Sequence, residues 1–89
     1  MHDVTLSPAQ CRGARGVLGW KIEDLAAATG LTRKTVSDFE NGKTTPQPRT
    51  LRDIREKLEA AGVEFIPAGA YQGEGGPGVR LRDQPSSGP

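Results

Sequence analysis

The chain has 89 residues, 34% of them hydrophobic, only four aromatic, and a formal net charge of +1; a chain this short supports one small core and buries about two thirds of its extended surface. With one cysteine (Cys11) and one histidine (His2), neither an internal disulfide nor a Cys/His zinc site can form, so no metal and no cofactor is expected. The apolar runs fall far short of the ~20 residues of a membrane helix, and the opening MHDVTLSP lacks a basic-then-apolar leader, so the expected location is cytoplasmic.

In chain order, residues 1–6 read as an irregular N-terminus. Ser7 followed by Pro8 is a helix start, a cap and then proline in the first turn. The first helix runs to about Leu18, with Cys11, Ala14 and Leu18 on its inner face and Gly13 and Gly16 weakening it; Gly19 ends it and Trp20 plugs the core. A second helix is expected over Ile22–Thr29, with Glu23 and Asp24 in the first turn where the dipole favours acids and a poor cap at Lys21. After Gly30 and Leu31, Thr32 caps a third helix that closes at Asn41-Gly42, a left-handed C-terminal signal. KTTPQP is a loop, Pro48 opens a fourth helix, and Leu51, Ile54, Leu58 and Ala61 face inward while Arg52, Arg55, Glu56 and Glu59 face solvent. Beyond Gly62, Val63–Ile66 and Val79–Arg82 have strand character, with a glycine-rich connection around Tyr71 between them. Residues 83–89 carry no apolar side chain and read as a disordered tail.

The stretch from Ile22 to Gly42 is thus two short amphipathic helices across a glycine turn, the pattern of a helix-turn-helix. The third helix turns Arg33, Lys34, Ser37, Asp38 and Asn41 outward. Arginine and lysine at a helix N-terminus suit the O6 and N7 acceptors of guanine, although the same residues would also make an ordinary solvated face. The electropositive portion of the chain coincides with its helical portion, since Cys11 to Lys57 holds ten Lys/Arg against six Asp/Glu, and this balance leaves both readings open. No Ser/His/Asp set, carboxylate pair or phosphate-cradling glycine loop occurs, so no catalytic residue is expected and the protein is not read as an enzyme.

Around this stretch, Arg12 to Leu58 resembles the helix-turn-helix domain of the phage repressor and Cro-like (XRE-type) transcriptional regulators. The matching residues are Leu18-Gly19, Glu23-Asp24-Leu25-Ala26, Gly30, Thr32-Arg33, Val36, Phe39, and Glu40-Asn41-Gly42-Lys43 followed by Pro46. The resemblance implies a mainly α, lambda-repressor-like four-helix domain over residues 7–62, and the strand signals beyond it make residues 63–82 a two-stranded β hairpin extension. It implies that Arg33, Lys34, Ser37 and Asp38 read bases, that Arg15 and Glu40 form a structural ion pair, and that Asn41, Lys43, Thr44 and Arg49 hold the DNA backbone. Lys21, Thr32 and Thr35 are placed on the backbone side with them. One departure stands out: the family usually has a small polar cap and a glutamine where this chain has Lys21 and Ile22; Lys21 can replace the phosphate contact by charge, whereas Ile22 cannot donate to a phosphate and either touches a thymine methyl group or simply packs.

The expected partner is a double-stranded DNA operator bound by a homodimer. A lone hairpin has little to bury, so Val63, Phe65, Ile66, Val79 and Leu81 are the expected dimerisation residues. Arg80 and Arg82 read as solubilising an edge strand, ahead of a supplementary DNA contact. A reading from another class is a protein-interaction module, such as a DNA-binding antitoxin paired with a toxin or an adaptor controlled by an antiactivator protein.

Overall fold

The computed structural model describes residues 6–67, 69 and 75–82. The expected irregular start (apart from Leu6), most of the connection around Tyr71 and the expected tail from Asp83 lie outside them. The order is α1 (Pro8–Leu18), α2 (Ile22–Thr29), α3 (Arg33–Glu40), α4 (Pro48–Ala60), β1 (Val63–Ile66) and β2 (Gly78–Leu81).

Local chemistry accounts for the helix ends. Ser7 Oγ accepts from the Gln10 N–H at 3.0 Å and Gln10 Oε1 accepts from the Ser7 N–H at 3.1 Å, a reciprocal cap completed by Pro8 in the first turn. Lys21 gives α2 no side-chain cap, but Asp24 reaches back to accept from the Lys21 N–H at 2.8 Å, so the poor cap position is half repaired. Thr32 Oγ1 accepts from the Thr35 N–H at 3.1 Å. At the other end of α3 the Lys43 N–H donates to Asp38 O and the Gly42 N–H to Phe39 O, with Gly42 at φ +76°. That double closure needs a left-handed residue, which glycine adopts without a Cβ penalty.

The core is built from Leu6, Cys11, Ala14, Leu25, Ala26, Val36, Phe39, Ile54, Leu58, Val63 and Phe65, with Leu18, Trp20, Ile22, Leu31, Leu51 and Val79 packed around it. Several positions depart from the sequence reading. Leu6, assigned to the irregular start, is buried, whereas Leu18 and Leu51 are only half-buried. Arg55, expected in solvent, lies over the Phe65 ring at 4.8 Å from its centroid, a cation-π contact that its long stem makes by lying along the surface.

The hairpin requires the largest correction. β1 and β2 pair antiparallel with Val63 opposite Leu81 and Ile66 opposite Gly78. This register places β2 one residue earlier than Val79–Arg82, although the Arg82 N–H still donates to Gly62 O at 2.7 Å. The sheet is not short of partners in its own chain. β1 packs on α1 and α4, β2 packs on α1, and Val63 and Phe65 are buried. Gln10 Nε2 adds a hydrogen bond to Gly78 O. The premise that Val63 and Phe65 await a second copy therefore fails, because they already complete the helical core.

Candidate nucleic-acid interface

α3 has two sharply different sides. Val36, Phe39 and Glu40 are buried, while Arg33 and Lys34 are exposed and Thr35, Ser37 and Asp38 half-buried. α2 packs against α3 across the Gly30 turn, where φ is +77° and a Cβ would strain the backbone. The pair therefore crosses as two helices joined by a tight turn, presenting the N-terminal end of the second.

Within this face the polar groups differ in how they are engaged. Lys34 Nζ lies 3.0 Å from Asp38 Oδ2, one turn on, and the lysine side chain is 83% exposed. Such a solvated i,i+4 pair is worth only about 0.3–0.5 kcal/mol, so a phosphate or a base edge can displace it readily. Asn41 Nδ2 donates to Ser37 Oγ at 3.3 Å, and the hydroxyls of Thr32 and Thr35 bond each other at 2.9 Å. Arg33 differs: among the described residues its guanidinium has no hydrogen-bond or ion-pair partner. Lys43 and Arg49 are in the same condition, and with Thr44 they are exposed on the loop after α3 and the first turn of α4. Lys21 is exposed at the start of α2.

The C-terminal end of α3 is tied down by a buried carboxylate. Arg15 reaches Glu40 with two bonds, Nε to Oε2 at 2.7 Å and Nη2 to Oε1 at 2.6 Å, and its Nη1 donates to Trp20 O at 3.0 Å. The Glu40 side chain is 3% exposed. Its carboxylate holds the Arg15 guanidinium above its ordinary pKa, against the opposing effect of burial. Two further groups converge there that the sequence reading did not assign. Cys11 Sγ–H donates to Glu40 Oε2 at 3.2 Å, and Arg12 Nη1 donates to the Glu40 main-chain carbonyl. Arg12 thus satisfies a carbonyl at the negative end of the α3 dipole. Burial first, then the hydrogen bond to Glu40 and that residue's charge, push the Cys11 thiol well above its usual pKa. The signal was available: Cys11, Arg12 and Arg15 lie within one turn of α1, so a partner for one is within reach of the others.

A buried ion-pair hub, a tight αα turn and an exposed basic N-terminus on the second helix define a helix-turn-helix DNA-binding domain. The family model described as helix-turn-helix matches residues 14–64, more than half of the chain, and the chain belongs to that family, the Cro/C1-type (XRE) group of DNA-binding regulators. No curated protein matches the sequence. Among the described residues no helix is long and apolar enough to cross a membrane.

Proposed function

We propose that the chain is a sequence-specific regulator that binds a double-stranded DNA operator as a homodimer, with α3 in the major groove. The observation that carries this reading is Arg33 at the N-terminus of α3, an exposed guanidinium without a hydrogen-bond or ion-pair partner among the described residues. In this family's docking mode that is the end of the recognition helix that meets base edges. Arg33 and Lys34 donate to guanine; Ser37 and Asp38 read one turn further, Asp38 accepting from an exocyclic amino group of cytosine or adenine. Lys21, Thr32, Thr35, Asn41, Lys43, Thr44 and Arg49 hold phosphates and set the register, since backbone contacts position while base contacts specify. The role is binding rather than catalysis.

A single module reads few base pairs, and useful affinity requires two half-sites about one helical turn apart. With Val63 and Phe65 committed to the core and Val79 packed against it, the contact between copies reduces to Leu81, 53% exposed, while Ile66 lies on the other face of the hairpin, opposite Gly78. Deleting the hairpin would open the core, so the better test is Leu81→Asp followed by sedimentation equilibrium. A monomer with an unchanged melt supports the assignment, and an undiminished dimer refutes it.

The reading as a whole is tested by alanine variants titrated against selected and unrelated duplexes over a range of salt. Arg33→Ala and Lys34→Ala should each cost about 1–3 kcal/mol on the preferred site and relax sequence preference. Lys43→Ala and Arg49→Ala should weaken all duplexes alike and reduce the salt slope by about one. Equal losses on every duplex for all four variants would leave α3 a charge patch and sink the proposal.

A further inference from the structure

The N-terminal half of α3 does not meet solvent as a flat face. Ile22, the first residue of α2, joins Thr32, Arg33, Lys34 and Ser37 around a shallow concavity. Three of the lining polar groups are already engaged within the chain. Thr32 Oγ1 accepts from the Thr35 N–H and donates to Thr35 Oγ1, Lys34 Nζ holds Asp38, and Ser37 Oγ accepts from Asn41 Nδ2. Ile22 is half-buried, packed against the core on one side and lining the concavity on the other. What remains is an alkyl wall with one guanidinium at its rim, Arg33, that has no partner among the described residues.

Such a wall offers nothing to a phosphate and fits a small alkyl group. In the major groove the alkyl group on offer is the C5-methyl of thymine. We infer that Ile22 is the contact for the methyl group of one thymine in each half-site, a role that rests on the proposed placement of α3 in the major groove. The charges around the wall, Arg33 and Lys34 on the rim and Lys21 just before it in the chain, make DNA the complementary occupant rather than an apolar peptide. Arg33 then donates to a base beside that thymine, so the two side chains read neighbouring positions by different chemistry.

The test begins with selection of binding sites from a random duplex pool. Each thymine of the selected site is then replaced by deoxyuridine, which removes the methyl group and nothing else. At one thymine per half-site the replacement should weaken binding about four-fold, the worth of one methyl removed from water. Ile22→Ala should bind the thymine and uracil forms equally, and Ile22→Val should keep the preference. Each comparison sets two duplexes against one protein preparation, so reduced stability of a variant does not blur it. Insensitivity of every thymine, or wild-type discrimination by Ile22→Ala, would overturn the inference. Tighter binding of 5-methylcytosine than thymine at that position would overturn thymine as the occupant. Selection that enriches no sequence would overturn the operator-binding reading together with this one, whereas enriched sites with no methyl-sensitive position would overturn this one alone.

Discussion

Arg15→Met removes the guanidinium at the Glu40 hub while keeping an unbranched apolar stem in its place. Two hydrogen bonds to the Glu40 carboxylate and one to Trp20 O disappear, leaving a carboxylate whose side chain is 3% exposed with the Cys11 thiol as its remaining side-chain donor among the described residues. Removing one partner of a buried pair typically costs about 3–5 kcal/mol, because the other charge stays desolvated. Against a total stability of about 5–15 kcal/mol this is a large share. At about 4–8 °C per kcal/mol for a domain of this size, the melting temperature should fall by at least about 12 °C. Thermal unfolding followed by far-UV circular dichroism and by Trp20 fluorescence reads the change. Adding Glu40→Leu to Arg15→Met removes the stranded charge and should recover much of the loss. A single variant melting within about 2 °C of the parent, or a double variant no better than the single, would show that the pair does not hold α3 in place.

Two other outcomes follow from packing and burial. Gly16 sits inside α1 with open space where a Cβ would be, whereas a Cβ on Gly13 would lie 3.2 Å from Val79 Cγ2; Gly16→Ala should therefore stabilise by about 1 kcal/mol, and Gly13→Ala should gain less or lose, as differential melts would reveal. Cys11 is fully buried and its thiol is held protonated by burial and by Glu40, so a thiol reagent at mildly alkaline pH should label it only through unfolding. Labelling at the rate of a free thiol in the absence of denaturant would contradict that burial.

The helices were legible because their signals are local. Ser7-Pro8, Thr32, Asn41-Gly42 and Pro48 each act within a few residues of themselves, and the structure ends its helices there. The site of the hairpin was not legible, because its cause is a contact across the whole chain. In sequence Gly13 is only a weak point in a helix; in space it is the gap that admits Val79. Gln10 likewise looks like surface until Gly78 O arrives beside it. The outward residues of α3 could be named from helical spacing alone. Their state of engagement could not, since the paired Lys34 and Asp38 look no different as letters from Arg33, which has no partner among the described residues. Nor could the place of Ile22, which depends on how closely α2 and α3 cross.

The hub at Glu40 also makes α3 a lever. An eight-residue helix is about 12 Å long, gripped at its C-terminal end by α1 and carrying Arg33 at the far tip. A tilt of about 5° at the grip would swing that tip by roughly 1 Å, about twice the tolerance of a well-made binding geometry. Small disturbances among Cys11, Arg12 and Arg15 are thus magnified along the helix. With α3 in the major groove as proposed, they should blur which sequence is chosen well before they loosen the hold on DNA, so the hub would set the aim of a helix tip that it never touches.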